Sequence, residues 1–146
     1  MKPVQVVFVC FGNACRSQMA EGFARTHGQD VMVARSAGLM PTIMIPKETS
    51  TAMREKGIDI SFQFPKGLKD ILPEQMELVI NMSGYPLPGV PKGVVRIWIV
   101  KDPVGKKPKV FNRVRDEIEG LVMNLIEELR RARTGFADGE AERITW

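Results

Sequence analysis

Both cysteines of this chain fall within one short stretch, Cys10-Phe11-Gly12-Asn13-Ala14-Cys15-Arg16-Ser17. The spacing, Cys-x5-Arg-Ser, joins a soft nucleophile to a planar cation. A thiolate at Cys10 can attack a tetrahedral oxyanion in line, while the Arg16 fork holds the equatorial oxygens. Ser17 can hydrogen-bond the sulfur and help it leave in a second step. The backbone N–H groups of Phe11, Gly12, Asn13, Ala14 and Cys15 can curl inward as an anion nest. Gly12 permits close approach of a ligand. Asn13 suits left-handed geometry or pins the loop through its side chain. The spacing alone is weak, because a cysteine ending a buried strand is most often a small core residue. Its weight depends on what lies on either side.

Residues 3–10, PVQVVFVC, form a continuous β-branched run, the pattern of a strand covered on both faces. Residues 16–28 read as a helix, with Met19, Ala20, Phe23 and Ala24 at helical spacing and Gly28 as its stop. The loop therefore joins a buried strand to a helix N-terminus, whose partial positive charge favours both a bound anion and the thiolate form of Cys10. A second strand is expected at 31–36, ended by Ala37-Gly38, and a helix at about 47–56, closed by Gly57. Residues 62–75 read as loop and short helical turns. Strands follow at 77–82 and 93–100. The longest helix is expected at 109–133, where Val110, Val114, Ile118, Leu121, Val122, Leu125, Ile126 and Leu129 form one apolar stripe. The polar tail from 134 to 146 is expected to be poorly ordered. Strands alternating with helices imply a single three-layer α/β/α domain over 1–146, with a four-stranded parallel sheet. Ligands collect at the carboxyl ends of such strands. That edge carries the Cys10–Ser17 loop, the Ser36–Gly38 turn and Asp102-Pro103.

Composition narrows the alternatives. Hydrophobic residues make up 44% of the chain, enough for a core without a metal or disulfide staple. One histidine, His27, cannot complete a zinc site with two cysteines, so no metal and no cofactor are expected, and His27 reads as a helix C-terminal residue. No run approaches the roughly 20 apolar residues of a membrane span. The first ten residues lack a small-residue cleavage site and read as a strand, so a cytoplasmic location is expected. The net charge of +4 suits anionic substrates. Lys101, Lys106, Lys107, Lys109, Arg130, Arg131 and Arg133 supply much of the basic side, without the interleaved aromatics of a nucleic-acid surface.

The stretch CFGNACRSQMAEGFAR resembles the active-site loop and first helix of low-molecular-weight protein tyrosine phosphatases and of the related thioredoxin-coupled arsenate reductases. The segments SAG (36–38), MREKGIDIS (53–61), DP (102–103) and RVRDEIEGLVMNLIEEL (113–129) fall in matching order, and the middle and end resemble the arsenate reductase branch more closely. The resemblance implies a phosphotyrosine protein phosphatase I-like fold. It implies that Cys10 is the nucleophile and Arg16 the oxyanion-binding arginine. Asn13 and Ser17 stabilise loop and thiolate, Ser36 braces the asparagine, and Asp102 is the general acid. An aspartic acid before Pro103 at this sheet edge can reach in and still exchange protons with solvent.

The chain departs from both branches. The thioredoxin-coupled relay needs two further cysteines after the third strand, where this chain reads Asn81-Met82-Ser83-Gly84-Tyr85. Methionine forms no mixed disulfide, so that relay is excluded, whereas a route through an external monothiol is not. The phosphatases wall a phenyl slot with tyrosines after Asp-Pro, where this chain has Val104-Gly105. Phe11 is the one aromatic of the nucleophile loop. Met40 and Met44 read equally as slot lining, core or dimer contacts, and Tyr85 and Trp98 as core or surface packing. Cys15 reads equally as a buried thiol or as a redox guard that pairs with Cys10, an option that members of the resembled family include. Three functions compete. The leading expectation is phosphomonoester hydrolysis, phosphotyrosine-type aryl phosphates included, through a cysteinyl phosphate. The second is arsenate reduction with an external monothiol, and the third a non-catalytic oxyanion- or phosphoprotein-binding module. The expected partners are a phosphorylated protein or small aryl phosphate and a thiol reductant, with the chain a monomer or weak homodimer.

Overall fold

The computed structural model describes residues 2–137, with side chains through residue 134. Four parallel strands, β1 (Val4–Cys10), β2 (Met32–Gly38), β3 (Leu78–Asn81) and β4 (Val95–Ile97), form one sheet in the order β2-β1-β3-β4. Three α-helices accompany them: α1 (Arg16–His27), α2 (Lys47–Arg54) and α3 (Pro108–Ala137). β1 is a central strand with pairing on both sides, which explains why its apolar run is uninterrupted.

The two faces of the sheet are covered differently, and chain direction decides how. Right-handed crossovers place β1-α1-β2 on one face and residues 68–76 of the β2–β3 connection, with the β3–β4 connection, on the other, while α2, from the start of the β2–β3 connection, lies with α1 and α3. On the first face Val6, Phe8, Ile80 and Met82 pack with Met19, Phe23, Met53, Ile118, Val122 and Ile126 from the three helices. On the second, Val7, Val9, Ala37 and Val79 are covered by Leu68, Ile71, Met76, Leu87, Val90 and Val94. These come from loops and single-turn 3-10 helices at Leu68–Asp70, Pro73–Gln75 and Lys92–Val94. The third layer is thus built of short turns, because the Pro- and Gly-rich connections cannot sustain α-helix.

Several element ends differ from the sequence reading. β2 runs on to Gly38, carrying Ser36 and Ala37 inside the ladder. β4 stops at Ile97 instead of 100, and just beyond it the half-buried Trp98 packs against Phe8, with ring centroids 5.9 Å apart. α3 begins at Pro108, where a missing N–H costs nothing, and continues through Ala137. The helix therefore takes in residues 134–137 of the segment read as tail; residues 138–146 lie outside the described ones. Among the described residues no helix is long and apolar enough to cross a membrane.

Gly38 pairs with Cys10 across the β1–β2 ladder. A Cβ there would lie 2.8 Å from the Asn13 nitrogen and 2.9 Å from the Gly12 carbonyl carbon, both backbone atoms that cannot swing aside. Gly38→Ala is expected to lower unfolding stability by about 1–3 kcal/mol in a denaturant titration and to distort the loop; an unchanged midpoint would show that the close approach carries no weight.

Candidate active site

β1 delivers Cys10 to the carboxyl edge, and α1 starts six residues later at Arg16. Between them the carbonyls of Cys10, Phe11 and Gly12 accept N–H groups from Leu39, Met40 and Thr42 at 3.3, 2.8 and 3.0 Å. The Asn13 carbonyl accepts Gln18 Nε2 at 3.0 Å. A trans peptide plane points its N–H opposite its C=O. Tying four carbonyls outward therefore leaves the N–H groups of Phe11, Gly12, Asn13 and Ala14 facing the enclosed side. Asn13 makes the bend with φ of 51°.

Cys10 is wired from behind. Asn13 Nδ2 donates to Ser17 Oγ at 2.7 Å, and Ser17 Oγ lies 2.8 Å from Cys10 Sγ. With its lone pair taken by the asparagine, the Ser17 hydroxyl is free to direct its proton at sulfur, which stabilises a thiolate. The Asn13 amide oxygen is held by the backbone N–H of Lys66 at 2.9 Å. Ser36 was expected to hold Asn13. Instead its hydroxyl donates to Glu21 Oε1 at 2.5 Å, because Ser36 lies on the sheet face under α1 and Glu21 is buried there. Glu21 is balanced by Arg25 at 2.7 Å.

Arg16 is buried. Its Nη1 donates to the carbonyls of Met82 (2.6 Å) and Val100 (3.1 Å), at the ends of β3 and of the segment after β4. Nη2 lies 3.5 Å from Asp102 Oδ2. Nε is buried and has no hydrogen-bond partner. A buried guanidinium donor left over after three anchors is suited to an anion in the loop. Asp102 is half-exposed, and its Oδ1 accepts the Val104 N–H at 3.0 Å, which aims the carboxylate across the mouth. A cavity of about 160 Å³ is lined by Cys10, Phe11, Gly12, Ala14, Cys15, Arg16, Met40, Thr42, Asp102 and Val104.

Met40 therefore lines the site, while Met44 stands exposed outside that lining. Tyr85 sits against Phe11, with centroids 5.6 Å apart. His27 closes α1 and stacks on Phe23. Among the described residues no cluster of His, Cys, Asp and Glu is placed to hold a metal ion. Cys15 is buried and accepts the Thr49 hydroxyl at 3.2 Å; burial pushes its thiol up to about 12, so it stays protonated at neutral pH.

Five supporting residues escaped the sequence reading: Gln18, Glu21, Thr49, Gln63 and Lys66. Gln18 Nε2 also donates to the Phe64 carbonyl at 3.1 Å, and Gln63 Nε2 donates to Gln18 Oε1 at 2.8 Å, clamping the 63–66 segment to the loop. The available signal was α1 itself, whose residues from Arg16 to Ala24 are all buried. A helix buried all round with four polar side chains at 16–18 and 21 must find them partners.

The family model for low molecular weight phosphotyrosine protein phosphatases matches residues 5–92. The chain is 37% identical over 130 residues to the glutaredoxin arsenate reductase of Synechocystis sp., covering 86% of this chain and 98% of that protein. It is 37% identical over 123 residues to an arsenate reductase of Staphylococcus aureus, covering 82% and 93%. Among solved structures, an arsenate reductase in its phosphate-binding state superposes with a TM-score of 0.80 at 35% identity, over 86% of this chain and 98% of that one. A low molecular weight protein tyrosine phosphatase from T. tengcongensis gives 0.72 at 30% identity, over 86% and 99%.

Iodoacetamide at pH 8 is expected to alkylate Cys10 alone. With its thiol near 12, Cys15 is thiolate in only about one molecule in ten thousand there, and labelling should rise toward pH 11–12. Intact mass reads the stoichiometry, and two adducts forming together would overturn the protected state of Cys15. Ser17→Ala is expected to slow Cys10 alkylation at pH 7 about tenfold, through loss of a charge-assisted hydrogen bond.

Proposed function

The chain belongs to the low molecular weight phosphotyrosine protein phosphatase family, and from that premise we propose that it reduces arsenate with electrons from an external monothiol. The observation that carries the reading is the buried Arg16 Nε, without a partner, beside Cys10 in a loop whose N–H groups face inward. That seat suits a small tetrahedral oxyanion, and relatives of nearly equal length are named arsenate reductases. The chain has two cysteines, and Cys15 is held as a buried thiol, so no second thiolate of its own stands ready to accept the oxidation.

The chemistry balances as follows. The Cys10 thiolate attacks arsenic; a sulfur–arsenic bond forms, one arsenic–oxygen bond breaks, and the oxygen leaves as water. An external thiolate then attacks Cys10 sulfur. The sulfur–arsenic electron pair stays on arsenic, which passes from the +5 to the +3 state and leaves as arsenite. Cys10 is left in a mixed disulfide. A second external thiol resolves it by exchange. One dihydrogen arsenate, one proton and two thiols yield arsenous acid, one disulfide and one water. Arg16 and the loop N–H groups stabilise the charge on the oxyanion, and Ser17 supports the sulfur as anion.

A second reading, phosphomonoester hydrolysis through a cysteinyl phosphate, is favoured by Asp102. Its carboxylate spans the mouth 3.5 Å from Arg16 Nη2, where a leaving oxygen would need a proton. One pair of assays separates the two: arsenate-dependent oxidation of glutathione, and metal-free hydrolysis of p-nitrophenyl phosphate. Arsenate-dependent flux is expected in the wild type and is expected to fall at least about a thousandfold in Cys10→Ser, which removes the nucleophile. Hydrolysis without arsenate flux across several thiols, reduced about a hundredfold by Asp102→Asn, would put the phosphatase reading in its place. Oxyanion binding with neither activity would leave a binding module.

A further inference from the structure

We propose that the open edge of β4 is a self-association surface: a second copy of this chain pairs antiparallel with it about Ile97, which brings Lys92 of the partner subunit toward Asp102 at the mouth of the candidate site. Among the described residues β4 pairs with β3 alone and ends the sheet. Asn81 stands opposite Ile97, and the Trp98 N–H donates to the Asn81 carbonyl at 3.0 Å. In a parallel ladder a residue that bonds the two neighbours of its opposite number leaves that residue's own N–H and C=O turned away. The main-chain groups of Ile97 therefore face the open side, and those of Ile99 follow the same alternation. The side chains match them. Ile97 is 69% and Ile99 91% exposed, and Val95, of the same parity, is half-buried on the second face of the sheet. Edges are commonly blunted by a charge or a proline among the outward residues. Here positions 95, 97 and 99 are all β-branched and apolar. Arg96 lies on the other face, paired with Glu128 at 2.7 Å, and lysines stand only at the two ends, at 92 and 101.

These positions select both the occupant and its register. An antiparallel strand must set outward residues against outward residues, because those pairs exchange both of their hydrogen bonds. Centred on Ile97, a second copy sets Ile97 against the partner's Ile97, Val95 against the partner's Ile99 and Ile99 against the partner's Val95, and no outward apolar residue is left unmatched. A shift by one step puts Ile99 against the partner's Gly93, or Val95 against the partner's Lys101. The centred register also brings Lys92 toward the partner's Asp102 and sets Lys101 against the partner's Gly93, so unlike charges meet and like charges do not. Lys92 and Asp102 are both exposed. The contact is two-fold symmetric and closed, and it joins two four-stranded sheets into one. It also reaches the site. Val100 lends its carbonyl to Arg16 Nη1 at 3.1 Å, and Asp102 Oδ2 lies 3.5 Å from Arg16 Nη2. Pairing at Ile97 and Ile99 restrains the stretch that carries both groups.

Sedimentation velocity of the full chain at low salt, over a range of about 1 to 300 µM, tests this. A shift from monomer to dimer is expected, half complete on the order of 50 µM, as suits a small interface. Ile97→Lys, at an exposed position, is expected to keep the unfolding midpoint and to weaken association at least about tenfold. Lys92→Asp is expected to weaken it about threefold, and the swapped pair, Lys92→Asp with Asp102→Lys, to restore it. A monomer throughout the range overturns the proposal, and so does a dimer that Ile97→Lys leaves intact. A dimer that Ile97→Lys breaks but the swapped pair fails to restore overturns the register and the approach of Lys92 to the partner's Asp102.

Discussion

The Arg16 guanidinium is a cation placed inside the protein, and the site is organised around keeping it there. A buried charge is costly unless its donors are engaged. Here the carbonyls of Met82 and Val100 engage one nitrogen and Asp102 approaches another. Those partners come from two places, the end of β3 and the chain after β4, and Arg16 itself follows the loop from β1, so it ties all three strand ends together. Cys10 lies beside it, supported by Ser17 and Asn13. Cation, sulfur and loop are thus one electrostatic unit.

Behind that unit lies a layer of polar side chains that never reach the cavity. Gln18, Gln63, Glu21 and Ser36 bond to one another or to backbone in pairs, and Lys66 holds Asn13 through its main chain. Their effect is to make a loop of small residues rigid without apolar packing. A site that must stabilise charge gains from dipoles that are already oriented, because nothing has to reorganise when charge develops.

Much of this was legible before any coordinates. The β-branched run of β1, the stripe of α3 and the Cys-x5-Arg-Ser loop between strand and helix each report local physics, and local physics survives into the fold. What was not legible depended on partners distant in sequence. Gln18 and Gln63 are 45 residues apart, and nothing in either segment announces the other. Ser36 was read as part of a turn and paired with Asn13, whereas it lies inside β2 and meets Glu21, since strand parity, not proximity to the loop, decides which face a side chain meets. The contact of Tyr85 with Phe11 gave no signal, because the turn that carries it is closed by hydrogen bonds of Asn81 and Ser83, residues that occur in any loop. The short β4 escaped because eight apolar-rich residues read as one strand, while the structure spends the last of them on Trp98 and on a carbonyl for Arg16.

The position of β1 in the sheet has a further consequence. A strand paired on both sides, with Val6 to Val9 fully buried, opens only when the domain opens, so its amides should exchange with solvent at the rate of global unfolding. Asp102 follows a three-residue edge strand and sits on an exposed loop. Such a segment can fray and reclose many times within one global opening. The fold thereby divides the site into a half that is as permanent as the protein and a half that breathes, and it assigns the sulfur of Cys10 to the first and the carboxylate of Asp102 to the second.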